Sequence, residues 1–387
     1  MRLLRDLSLS AVVAGFVTVL VGYTSSAVIV FQAAKASGAG PAELASWMWA
    51  LGIGMGATCI GLSLRYRVPV VTAWSTPGAA LLATSAAGLP MSATVGAFLA
   101  SSALLVLFGV TGWFERGMSR IPASIGAAML AGVLLRFGLD LFVAMRTQLA
   151  LALAMFAVYL LGRRAWPRYA VVGVLAVGTA IAAVTGQLQL DGVHVALARP
   201  VWTAPTFSVA ALVGVGIPLF VVTMASQNVP GVAVLRAAGY EATPISPLVA
   251  WTGAASLVLA PFGGYALNLA AITAAICMGR EAHEDPARRY VAAVAAGAFY
   301  LLLGLFAATV GALLEAFPRE LVLAVAGLAL LGTIGNGLAT ALRDERQREP
   351  ALITFLVTAS GLTLFGVGAA FWGLVAGGVA LLVLARR

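Results

Sequence analysis

Hydrophobic residues fall in long runs along this chain, and polar residues fall in short clusters between them. The runs are too long and too uniformly apolar for the stripe of a surface helix or the alternation of a half-buried strand. They read as membrane-crossing segments at approximately 8–33, 45–64, 69–87, 91–112, 122–142, 147–162, 169–186, 207–228, 246–259, 260–279, 290–313, 321–341, 351–365 and 367–385. That makes fourteen, several of them shorter than the roughly 20 residues of a full helical crossing. The third run changes character midway. Val70, Val71 and Thr72 are β-branched and follow Pro69, which reads as extended chain. Thr76 is then the expected N-cap of a helix, with Pro77 at its first position and an apolar run to about Ala87. Extended backbone at membrane depth is tolerated only where protein buries it or a cavity borders it. The open N–H groups and positive dipole end at Thr76–Ala79 would face that cavity, which favours an anion.

Composition and charge narrow the class. Of 387 residues, 61% are hydrophobic and 10% are charged, against about 25% charged in soluble domains. This is the composition of an all-α polytopic membrane protein, with little chain left for a soluble domain. The net charge of +9 comes from basic residues scattered in ones to threes between the runs, which argues against a nucleic-acid partner. With the N-terminus in the cytoplasm, eighteen arginines fall in inner segments. The outer loops hold only Lys35, Arg146, Arg199 and Arg319, and Arg136 lies within a span. Such a split follows the positive-inside rule, with both termini expected on the cytoplasmic side. The first run, Leu7 to Phe31, exceeds the roughly 7–15 residues of a signal-peptide core and reads as a retained span. Cys59 and Cys277 lie in apolar runs, so neither a disulfide nor a metal site is expected.

The two halves resemble each other. A shift of 201 residues superposes Gly15 on Gly216, Val21 on Val222, Ser25 on Ser226, Lys35 on Arg236 and Gly38 on Gly239. Seven spans separate the first from the eighth, an odd number, so the repeats are inverted: residues 1–204 and 205–387. A shift of 192 superposes Pro69 on Pro261 and Thr76 on Asn268. The tenth span therefore carries a second strand-to-helix break, with Asn268 as candidate cap. Matched broken spans in inverted repeats point to a transporter's binding site.

Candidate substrate-binding residues gather around these breaks: Tyr23, Ser25, Ser26, Trp74, Ser75, Thr76, Gln227, Asn228, Tyr265 and Asn268. They offer hydrogen-bond donors and aromatic walls without a carboxylate. That suits an anion, an aromatic carboxylate above all, and suits a nucleobase poorly. Each has a plainer role available. Serines and threonines in membrane helices bond back to the backbone or join helices, and aromatic residues pack. Two adjacent amides, Gln227 and Asn228, are harder to place against lipid. Arg136 and Asp140 stand four apart within a span. They are expected either to pair as an interfacial salt bridge or, for Asp140, to carry a proton. Glu281 and His283 are second proton candidates, although the stretch Arg280–Asp285 reads as a cytoplasmic turn. Gly52, Gly54 and Gly56 lack the strand and acidic residue of a dinucleotide site and read as close helix packing. No nucleotide motif, metal cluster or nucleophile–base pair appears in the sequence, so neither a cofactor nor an enzymatic role is expected.

Several stretches resemble the benzoate:proton symporter family: Gly22–Ser26, Trp47–Arg67, Thr72–Ala80, Met129–Asp140, Ser226–Gly231 and Pro261–Gly264. The resemblance extends over almost the whole chain. It implies benzoate uptake driven by protons, and the architecture shared with uracil permeases and sulfate-type anion transporters. In that architecture segments 1–4 and 8–11 form a core and segments 5–7 and 12–14 form a gate, often joined as a homodimer. Nucleobase relatives carry glutamates in the eighth and tenth spans, where this chain has Gln227, Asn228 and Asn268. Another organic anion, a nucleobase, or channel-like anion conduction are the alternatives.

Overall fold

A computed structural model of the protein describes residues 6–114, 122–165, 170–280, 282–362, 364 and 369–384. The side chains of Thr24 and Ser25 lie outside the described residues, as do Glu281, Arg2, Arg5, Arg116, Arg120, Arg168, Arg386 and Arg387. The chain is mostly helical. Its elements are α1 (Leu9–Ala36), α2 (Pro41–Tyr66), β1 (Thr72–Trp74), α3 (Thr76–Ser85), α4 (Met91–Val110), α5 (Ala123–Ala144), α6 (Leu149–Ala165), α7 (Ala170–Val184), α8 (Val209–Arg236), α9 (Ile245–Leu259), β2 (Leu267–Leu269), α10 (Ile272–Met278), α11 (Tyr290–Leu305), α12 (Ala307–Glu315), α13 (Arg319–Ala341), α14 (Arg348–Ala359) and α15 (Ala369–Leu384). By length and composition, seven helices among the described residues can cross a membrane, or eight counting α1.

α1 bends by 43° between Tyr23 and Ser26. The Ser26 hydroxyl donates to the Gly22 carbonyl at 2.7 Å, a back-bond of the kind that bends helices. α8 is interrupted by two wide π turns, Leu212–Gly216 and Met224–Asn228. Each is followed within two residues by a proline, Pro218 and Pro230. Proline lacks an N–H and clashes with the carbonyl four residues back, and a wider turn relieves both problems.

Packing divides the helices into two groups. The larger buried cluster draws mainly on α1–α4 and α8–α11, joined by Met129, Leu130, Leu134 and Phe137 of α5, Ala307 of α12, and Leu330 and Ile334 of α13. A second is built from α6, α7, α13 and Leu141 of α5. α2 lies along α11, α4 along α9, and α5 along α13. Glycines allow the closest approaches: a Cβ on Gly52 would stand 2.6 Å from Gly304 Cα, and one on Gly109 2.5 Å from the Ala250 nitrogen. Residues 194–206 run across the ends of the larger group. They are tied by Ala196 N–H to Thr309 Oγ1, Val201 N–H to Ser46 Oγ, Thr203 N–H to the Pro261 carbonyl and Thr206 N–H to the Ser92 carbonyl. Trp202 there packs edge-on against Phe262, and Phe262 against Trp49.

Basic and acidic side chains meet elsewhere. Asp6 lies between Arg67 (3.8 Å) and Arg288 (3.6 Å) and accepts from the Tyr290 hydroxyl. The buried Arg289 guanidinium donates to the carbonyls of Met278, His283 and Glu284, closing the C-terminal end of α10. Tyr240, in the loop after α8, donates to the Pro286 carbonyl, and burial pushes its phenol up from its ordinary value.

Candidate functional site

β1 and β2 form an antiparallel ribbon inside the larger cluster, with Thr72 opposite Leu269, Ala73 opposite Asn268 and Trp74 opposite Leu267. Ala270 N–H to the Val71 carbonyl prolongs it. A two-stranded ribbon in apolar surroundings has two open edges, whose main-chain groups must find partners. On the β1 edge α2 supplies them. Ser63 Oγ accepts from Val70 N–H and donates to the Val70 carbonyl, both at 3.1 Å. Cys59 Sγ accepts from Thr72 N–H at 3.1 Å. Thr72 Oγ1 donates to the Met55 carbonyl and pairs with Thr58 Oγ1 at 2.6 Å. On the β2 edge, Ser256 Oγ of α9 accepts from Leu267 N–H at 2.8 Å, and Asn228 Oδ1 of α8 accepts from Leu269 N–H at 3.0 Å.

Successive side chains of a strand point to opposite faces. Ala73 and Asn268 therefore share one face, while Thr72, Trp74, Leu267 and Leu269 take the other. Ala73 is half-buried between two buried neighbours, whereas Asn268 opposite it is fully buried, so this face opens at Ala73. α3 begins two residues beyond Trp74 and α10 three residues beyond Leu269. Because the strands are antiparallel, these helices leave from opposite ends of the ribbon.

The sequence-derived candidates separate accordingly. Tyr23 and Trp74 are stacked edge-to-face, ring centroids 4.7 Å apart, and the Trp74 indole N–H donates to Ser26 Oγ at 2.9 Å. Tyr265 stands apart from that pair and packs with Trp47 and Phe98. Thr76 does not cap α3; it is the first helical residue, and Pro77 the second. Ser75 keeps the extended backbone a cap needs, and its Oγ accepts from Gly78 N–H and from the Thr223 hydroxyl, each at 3.0 Å. Nor does Asn268 cap α10. It lies in β2, with Nδ2 donating to the Ala266 carbonyl at 2.9 Å, and the chain stays extended past it. Ala271 precedes α10 without a side-chain cap. Asn228, expected as a donor to substrate, is committed to the ribbon edge through Oδ1 and to Met224 Sδ through Nδ2. Gln227, one residue earlier in the same π turn, is half-buried.

Arg136 and Asp140 form no ion pair among the described residues. Arg136 is exposed and Asp140 half-buried, and an exposed pair gains too little to hold two side chains together. His283 lies in a loop, where its Nδ1 accepts from Asp285 N–H. Sequence reasoning missed Thr58, Cys59, Ser63, Thr223 and Ser256. Their signal is the presence of small polar residues on otherwise apolar helices, which marks a need for partners without saying whose.

Comparison with known proteins adds to this geometry. A family model described as benzoate membrane transport protein matches residues 5–383. The chain is 51% identical over 371 residues to inner membrane protein YdcO of Escherichia coli, covering 96% of this chain and 95% of that one. It is 41% identical over 382 residues to the benzoate membrane transport protein of Acinetobacter baylyi, covering 99% and 97%. Among solved structures it resembles SLC26A9, with a TM-score of 0.64 at 14% identity. That likeness covers 96% of this chain but 65% of the SLC26A9 chain. It also resembles the transmembrane domain of a cyanobacterium bicarbonate transporter, BicA, with a TM-score of 0.55 at 14% identity, covering 98% and 97%. At such identities the likeness is one of fold.

Proposed function

The chain belongs to the benzoate membrane transport protein family, and from that premise we propose that it imports benzoate, or a closely similar aromatic carboxylate, together with a proton by alternating access. It is a multi-pass membrane transport protein and not an enzyme. The proposed setting is a bacterial inner membrane with both termini cytoplasmic and lipid around the apolar helix faces. Homodimerisation through the gate is proposed from the shared architecture.

The proposed architecture is two inverted seven-segment repeats, residues 1–204 and 205–387. Segments 1–4 and 8–11 form the core and segments 5–7 and 12–14 the gate. Three observations support it. α6 and α7 fall in the smaller hydrophobic cluster and α1–α4 and α8–α11 in the larger, with α5 and α13 contributing to both. Exchanging the first seven segments for the last seven turns the α2–α11 contact into the α9–α4 contact and leaves α5–α13 as itself. Under the same 201-residue shift, the bend of α1 at residues 24–25 falls on the second π turn of α8.

The observation that carries the substrate placement is the ribbon register, which sets Ala73 beside Asn268 on one face, between the starts of α3 and α10. The substrate is proposed to rest over Ala73 and Asn268, with Thr76 and Gln227 reaching its carboxyl end. Trp74, with Tyr23 and Ser26 bound to it, backs the ribbon from its other face and holds it against α1, and Ser25, adjacent in sequence, is assigned to the same supporting layer. Ser75, Asn228 and Tyr265 hold these groups in place. Two places are open to the proton: a side chain, for which Asp140 in α5 is the candidate, or the substrate itself.

The test is uptake of labelled benzoate into vesicles of purified protein under an imposed inward proton gradient. Saturable accumulation above the external concentration is expected. Flux that never saturates and never exceeds equilibrium would indicate a conductor instead.

A further inference from the structure

Asn268 is fully buried, and its own neighbour orients it: Nδ2 donates to the Ala266 carbonyl, so Oδ1 is the atom turned away. Flipping the amide would set two acceptors against each other, so this assignment is fixed by chemistry. Oδ1 has no hydrogen-bond partner. A buried acceptor left unpaired is unfavourable and asks for a donor. It sits on the same ribbon face as Ala73, where the proposed substrate rests. A carboxylate accepts hydrogen bonds and donates none, so it would set its own lone pairs against Oδ1. An undissociated carboxylic acid carries one O–H, which fits that acceptor, while its carbonyl still accepts from the donors around it.

The charges agree. Residues 9–36, 72–85, 209–236 and 245–278 contain no Asp, Glu or His, and their only cations, Lys35 and Arg236, stand at the ends. A buried anion there would have no cation beside it, which is strongly unfavourable. The elements packed against β2 are β1, α2, α8 and α9. Their titratable groups are Cys59, the end residues Glu43, Arg65 and Tyr66 of α2, and Arg236, with Tyr265 just ahead of the strand. Thiols and phenols ordinarily ionise near about 8.5 and 10, so none beside Asn268 changes charge in mildly acidic solution.

We propose that the species bound and carried is the undissociated aromatic acid, its O–H donating to Asn268 Oδ1, so that the coupled proton crosses on the substrate's own carboxyl. Carboxylate and proton combine in the water on one side and separate on the other. One proton accompanies each carboxylate, and no net charge moves. The inference rests on the benzoate-transport reading above and goes beyond it by naming the protonation state.

The experiment measures binding to the full-length protein across about three pH units, using benzoate, fluorobenzoates of differing acidity, and benzamide. Benzamide keeps an N–H donor and a carbonyl but cannot ionise. Each acid's apparent affinity is expected to fall about tenfold per pH unit above that acid's own pKa. Benzamide's own inhibition constant, measured by displacement of labelled benzoate, is expected to be the same at every pH. Acid binding that is flat with pH, or that breaks at one common pH for every acid, with benzamide inert, would overturn the inference while leaving benzoate transport intact. If folded protein binds none of the three at any pH, the transport reading falls as well.

Discussion

The two strand-to-helix joins solve the same problem unequally. In the first, α2 satisfies the β1 edge with Ser63, Cys59 and Thr58, and Ser75 caps a ten-residue helix. In the second, one serine and one asparagine serve the β2 edge, and the seven-residue α10 starts without a side-chain cap. Ala266 there holds a left-handed φ of 40°, and Asn268 keeps an unpaired oxygen. The polar groups along the first join's ribbon edge serve the fold, and the unpaired group near it is the Tyr23 hydroxyl, packed behind Trp74. The second retains hydrogen-bonding capacity and backbone strain, both common at functional sites. Function is therefore to be sought on the second join, with the first as its fixed partner.

Substitutions can break or sharpen this contrast. Gly263→Ala should have the largest effect. Gly263 sits at φ 91°, and a Cβ would overlap the Trp47 ring. A loss of roughly 3 kcal/mol or more is expected, read as failure to fold or a large drop in melting temperature in detergent. Asn228→Leu should come next, because it strands the Leu269 N–H. Thermal unfolding should register a loss of about 1–3 kcal/mol, and binding should weaken as β2 loosens. Ser75→Ala removes the α3 cap and should lower stability by about 1 kcal/mol, with affinity changing less than in Asn228→Leu. Cys59→Ser keeps an acceptor for Thr72 N–H and should alter melting by less than about 0.5 kcal/mol. If Ser75→Ala instead abolished binding at unchanged stability, the assignment of chemistry to the second join would be reversed.

Much of this contrast follows from residue chemistry, and part of it is invisible in sequence order. The extended stretch before α3 is legible because Val70, Val71 and Thr72 favour strand and Pro77 permits a helix to begin. The cap is displaced by one residue because Ser75 and Thr76 are both good caps, and only backbone geometry chooses between them. Asn268 resembles a cap as a residue type, yet its amide turns back to Ala266. The roles of Asn228, Cys59, Ser63 and Ser256 depend on where the ribbon edges lie, and their partners stand 7 to 41 residues away. The π turns of α8 had a signal in Pro218 and Pro230, although proline alone does not distinguish a π turn from a kink.

Ala73 offers the most direct measurement. Both native cysteines are buried, so Ala73→Cys places one reactive thiol on the open face of the ribbon. Its rate of modification by a small thiol reagent should fall at least tenfold when benzoate saturates the protein. An unchanged rate, with benzoate shown to be bound, would contradict the placement of substrate over Ala73 and Asn268.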